Sequence, residues 1–186
     1  MKCSRLFTLA IVGLALGSIG CSPTPKNASD KATLTAESSA ALTAFKGDDP
    51  SLAALMDRSV GYAVFPEVGK AGLIFGGSYG DGEVFEAGKQ IGYADITQAS
   101  VGLQAGAQTF SELVILMRQE DLDNFKANKF SLTGNVSAVA IKAGAAAGTD
   151  TSKGVVVFVR SKGGLMAEAS VGGQRFRFHA MNEPGK

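Results

Sequence analysis

Arg175, Arg177 and His179 alternate with Phe176 and Phe178 near the end of a 186-residue chain. Successive side chains of an extended strand point to opposite faces, so this spacing predicts one basic and one apolar sheet face. Guanidinium groups take phosphate through paired, charge-assisted hydrogen bonds. Beside an apolar surface, such groups suit a lipid head group. Arg160 and Lys162 lie one hairpin upstream, and Lys70 holds a matching place in the first half of the chain. Lys70, Arg160, Lys162, Arg175 and Arg177 are therefore the candidate head-group-binding residues. The alternative is an ordinary solvated sheet face.

Residues for bond-breaking chemistry are scarce. The chain has one histidine, and its two cysteines are Cys3 and Cys21. No run of Cys, His, Asp and Glu has metal-ligand spacing. Gly69-Lys70 lacks both the upstream glycine and the following Ser or Thr of a phosphate-binding loop. No Gly-x-Ser-x-Gly turn is expected, and residues 76–80, which lack dinucleotide spacing, read as sheet-building sequence. The expectation is a non-catalytic protein with no cofactor and no metal.

The first twenty residues do not read as part of a fold. Lys2 and Arg5 form a short basic start, residues 6–16 are almost wholly apolar, and small residues lead to Cys21. This is secretory signal design, too short to span a membrane comfortably. A cysteine at that junction is similar to the acylation site of bacterial lipoproteins, although Ser18 stands where the usual pattern has Leu. With Cys21 acylated, no cysteine remains for an internal disulfide. Two or more acyl chains hold a protein on a membrane stably. Ser22 after the cysteine points to the outer membrane, facing the periplasm. Without residues 1–20 the chain carries 16 basic against 17 acidic residues, a balance that argues against nucleic acid.

The expected organisation is a signal peptide over 1–20, a lipidated Pro-containing linker over 21–28 and one domain over 29–186. Ser29-Asp30 caps a helix to about residue 46, with Leu34, Ser38, Ala41, Leu42 and Phe45 on one face. Asp49 and Pro50 start a short helix over 51–58. The central stretch, 64–82, reads as strand, turn, strand, turn. Pro66 ends a strand over 62–65, and Asp81-Gly82 is a hairpin dipeptide. Residues 83–87 are a strand and 88–90 a turn. Residues 93–98 are extended, and residues 100–109 alternate as one strand, with Gln104 and Gln108 on a face of small and amide residues. These glutamines could take a polar ligand or simply bond neighbouring backbone. A strand over 112–117 and a helix over 120–128 follow. Residues 132–147 read as one or two strands, although their alanine density would also allow a helix, and 155–160, 165–171 and 175–179 are closing strands. Gly61–Phe65 resembles Gly154–Phe158, and Lys70–Leu73 resembles Lys162–Leu165, as two similar strand–turn–strand units would.

Four stretches together resemble the SYLF domain. They are Phe65-Pro66-Glu67-Val68 with Lys70-Ala71-Gly72 and Phe75-Gly76-Gly77; Ala99-Ser100-Val101-Gly102-Leu103-Gln104 with Gly106-Ala107-Gln108; Phe130 with Val136 and Ala138; and Arg160-Ser161-Lys162-Gly163-Gly164-Leu165. The resemblance spans about residues 34–173. Met166-Ala167-Glu168 and Gly172-Gly173 depart from the family's pattern. The resemblance implies a lipid-binding module that meets anionic phospholipid at a membrane surface. It transfers no catalytic residue, and the actin binding of some fungal members is not carried over.

The expected fold is α+β, with N-terminal helices packed on a mostly antiparallel, strongly curved or barrel-like β-sheet. The expected function is membrane-tethered phospholipid binding in the bacterial envelope. The runner-up is a module that binds an envelope protein partner.

Overall fold

The computed structural model describes residues 25, 27–72, 75–101, 106–132, 138–140, 142–164 and 173–181. Cys21 and the strand expected over 165–171 lie outside them.

Helix α1 (Ala28–Asp48) begins on Asn27, whose side chain accepts from the Asp30 N–H. The cap is thus two residues earlier than Ser29-Asp30. Asn27 is as good an acceptor as either, and it lies ahead of the helical run. The predicted stripe is buried at Leu34, Ser38, Ala41 and Phe45. Helix α2 (Leu52–Asp57) buries Leu52, Leu55 and Met56.

Eight strands follow. They are β1 (Gly61–Gly72), β2 (Phe75–Glu86), β3 (Lys89–Val101), β4 (Gly106–Leu116), β5 (Ser131–Leu132), β6 (Ala138–Ala140), β7 (Val155–Gly164) and β8 (Gln174–Ala180). A third helix, α3 (Gln119–Lys126), sits between β4 and β5. One sheet holds all eight in the order β5-β8-β3-β2-β1-β4-β7-β6. Every pairing is antiparallel except β6 with β7. The sheet is a strongly curled half-barrel, and the fold is α+β.

Two expected breaks are absent. Pro66 does not end its strand: β1 runs through it, with register shifts against both neighbours between residues 64 and 68. A bulge removes the ladder position that Pro66 could not fill. Asp81 and Gly82 lie inside β2, paired with Asp95 and Ala94. Here glycine serves close approach, since a Cβ on Gly82 would strike the Phe65 ring and the Val64 carbonyl. The hairpin turn falls at Ala87-Gly88, both at positive φ. Residues 100–109 belong to two strands, not one, with 102–105 outside the described residues.

The sheet buries both faces. Its hollow side carries Ala63, Phe65, Val68, Ile96, Phe110, Val114, Val157 and Phe176, closed by Leu122 and Phe125 of α3. Phe125, Phe130 and Phe176 contact one another at centroid distances of 5.4 to 5.7 Å. The other side packs Val64, Leu113, Ile115, Val156 and Phe158 against α1 and α2. The two similar units, β1 and β7, flank β4. Phe65 pairs with Glu112 but Phe158 pairs with Leu113. The one-residue offset turns the two phenylalanines to opposite faces.

Candidate functional site

The five candidate cations do not form one patch. Arg160 and Lys162 sit on β7, with four strands between it and β8. Arg160 Nε is 2.7 Å from Asp48 Oδ2 at the end of α1, and Lys162 Nζ is 3.4 Å from Glu67 Oε2 across to β1. Both are engaged with carboxylates inside the fold. Lys70 is buried within β1, at 4% exposure. It lies on the hollow side, because β1 returns after its bulge to the phase of Val68.

Lys70 belongs to a polar row. Its cross-strand neighbours are Gln108 on β4 and Ser78 on β2. Ser78 neighbours Gln98 on β3, and Gln98 neighbours Gln174 on β8. All five side chains are buried, and Ser78 Oγ donates to Gln98 Oε1 over 3.3 Å. The next row down is apolar: Phe110, Val68, Gly80, Ile96 and Phe176. A polar belt thus crowns an aromatic floor. Gln98 and Gln174 went unnoticed in the sequence, since their alignment depends on the register of four strand pairs.

The letters Gly76 to Gly80 do fit the Gly-x-Ser-x-Gly pattern of a nucleophile elbow around Ser78. The structural context does not. An elbow needs a sharp strand-to-helix turn that exposes the hydroxyl. Ser78 lies inside β2, paired on both sides and 5% exposed. His179 lies on the opposite face, where its Nε2 is 2.9 Å from Asp95 Oδ1.

Arg175 and Arg177 stand together on that opposite face. Both are exposed and alternate with buried Gln174 and Phe176, as the period of two requires. Neither makes an ion pair among the described residues. They line a groove of about 460 Å³ with Thr97, Asn128, Lys129, Ser131 and Phe130. Asn128, at positive φ, fixes the turn after α3 by accepting from the Phe178 N–H. That turn delivers Lys129 to the rim. Lys129 was missed in the sequence because 46 residues separate it from Arg175, and the pairing of β5 with β8 brings them together.

One carboxylate, Asp95, also lines the groove, and His179 is its partner. The larger cleft, about 490 Å³ between α1 and the β1–β2 pair, has Asp30, Glu37, Glu67 and Asp81 on its walls. Burial pushes the Asp81 carboxyl above its ordinary value, and the neighbouring Asp95 pushes the same way, while the Tyr79 hydroxyl at 2.6 Å opposes them. The walls of that cleft are acidic, whereas the β8 groove carries Arg175, Arg177 and Lys129 against the single carboxylate of Asp95.

No curated protein matches the chain. Residues 97–182 match the family model Ysc84, described as Las17-binding protein actin regulator. The matched segment runs from the end of β3 through β8, so it contains Arg175, Arg177 and Lys129 of the groove. Residues 97–182 thus match a Ysc84 (SYLF) domain, as the sequence resemblance implied.

Proposed function

We propose that the protein is a non-catalytic, membrane-tethered domain that binds anionic phospholipid head groups. The observation that carries this reading is the groove at β8. Two exposed arginines, without an ion-pair partner among the described residues, stand there beside Lys129. Phosphate oxygens meet guanidinium and ammonium groups there through charge-assisted hydrogen bonds. Acylation at Cys21 supplies the tether, on the periplasmic side of the outer membrane.

Vesicle cosedimentation of a Cys21→Ser chain tests the binding apart from the tether. Binding to phosphatidylglycerol vesicles and none to phosphatidylcholine vesicles is the expected result. Failure to bind either kind removes the reading. Metabolic labelling with palmitate tests the tether, and an unlabelled Cys21 chain ends that part. A second reading is an envelope protein–protein interaction module. It draws support from the family description, which names a protein partner. Crosslinking of the vesicle-inactive protein to one envelope protein would favour it.

A further inference from the structure

Gln174 Nε2 donates to Glu112 Oε2 over 2.8 Å. The two residues belong to β8 and β4, which have β3, β2 and β1 between them in the sheet. The bond therefore crosses the hollow of the curled sheet instead of running along it. Both side chains are at 0% exposure. The other oxygen of each, Glu112 Oε1 and Gln174 Oε1, has no hydrogen-bond partner among the described residues. Two stranded acceptors on one hydrogen-bonded pair are unfavourable in a dry interior. A single proton resolves both. Placed on Glu112 Oε1, it is donated to Gln174 Oε1, and the amide N–H and the acid O–H then run in opposite directions around one ring.

We infer that Glu112 and Gln174 form a cyclic acid–amide pair, a proton-operated latch holding β8 to β4 across the interior of the half-barrel. The surroundings agree. Phe65 and Val159 are the cross-strand neighbours of Glu112, Phe110 and Val114 flank it on β4, and α3 contributes Leu122 and Phe125. The charged groups on this side are Lys70, a row beyond Phe110, and the Lys126–Glu86 pair where α3 meets β2. His179, Asp95 and Asp81 lie on the other face. Burial holds the Glu112 carboxyl up at about 7, with the Gln174 bond pulling it down. When the proton leaves to solvent, two acceptor oxygens face each other and a carboxylate is left among phenylalanines. The ring then keeps only the Gln174 N–H bond to the carboxylate, and the latch loosens. The inference does not rest on the lipid reading.

Infrared spectroscopy of the full chain tests it without a variant. A protonated carboxyl band is expected at pH 6, lost with a midpoint near 7. Its absence at pH 6 overturns the latch, and so does a band that persists unchanged to pH 9. Glu112→Gln keeps the shape and replaces the acid O–H by an amide N–H, so the ring closes at any pH. At pH 8, β8 amides of the wild type are expected to exchange with deuterium at least several-fold faster than those of Glu112→Gln, with equal rates at pH 5. Equal rates at both values overturn the proposal. Should Glu112→Gln fail to fold, the band's shift in Gln174→Leu decides: an unmoved frequency refutes the ring.

Discussion

The carboxylate of Asp49 accepts a 2.7 Å hydrogen bond from the backbone N–H of Ala146, 97 residues further along the chain. The same group takes the Gly144 N–H at 3.2 Å and the Ser51 hydroxyl at 2.6 Å. One buried side chain thus joins the α1–α2 corner to the turn before β7. Burial alone would push Asp49 up, but the Ala146, Ser51 and Gly144 bonds outweigh it and hold the carboxyl below 3.8. Asp49→Ala is expected to destabilise the fold by about 2–3 kcal/mol, since it strands buried N–H groups. A folded-state value below the unfolded one means that this contribution is present above about 3.8 and is lost as pH falls through the lower folded value. Denaturant unfolding of wild type and variant between pH 2 and pH 7 checks both: the two curves converge only at the acid end.

Arg175→Ala with Arg177→Ala is expected to weaken binding to phosphatidylglycerol vesicles roughly tenfold or more, and to flatten its dependence on salt. Arg160→Ala with Lys162→Ala is expected to change binding less than about twofold. Those two side chains already face Asp48 and Glu67. Their loss costs at most about 1 kcal/mol of stability per pair, as exposed ion pairs do. Parallel cosedimentation of the two double variants decides which end of the sheet, β8 or β7, meets lipid. Equal losses would contradict the groove.

Gly92→Ala is expected to be strongly destabilising. A Cβ at this position would collide with the carbonyl oxygen of His179 and the ring of Phe178, its neighbours on β8. The backbone cannot yield without separating β3 from β8. A loss of about 1–3 kcal/mol is expected from such overpacking, read as a lower denaturation midpoint. Gly88→Ala probes a different cause, a strained positive φ of 75° with open space around it. A cost of about 1 kcal/mol is expected there.

Phe125→Ala is expected to cost about 3–5 kcal/mol. Its ring, 1% exposed, touches Phe130, Phe176 and Phe178. It is the main plug by which α3 closes the hollow side of the sheet. Thermal unfolding followed by circular dichroism measures the drop. A change under about 1 kcal/mol would mean that the hollow is filled by something else.

Local pattern alone was enough for several features. The apolar stripe of α1 follows from a period of 3.6, and the alternation of Arg175 and Arg177 with Phe176 follows from a period of two. Both depend only on neighbours along the chain, so both were legible. The α+β class followed from helices at the start and short strands after them. Tertiary structure decided the rest. Pro66 and Asp81-Gly82 carry strong local signals for a stop and a turn. They were overruled because a bulge excuses the proline and Phe65 requires a glycine opposite it. The candidate cations were separated because strand order, not sequence spacing, sets distance across a sheet. The polar belt of Gln108, Lys70, Ser78, Gln98 and Gln174 exists only through the register of four strand pairs. Glu112 and Gln174 meet only because the sheet curls. A linear pattern records which face a side chain takes, whereas the curvature of the sheet chooses what waits on the far side.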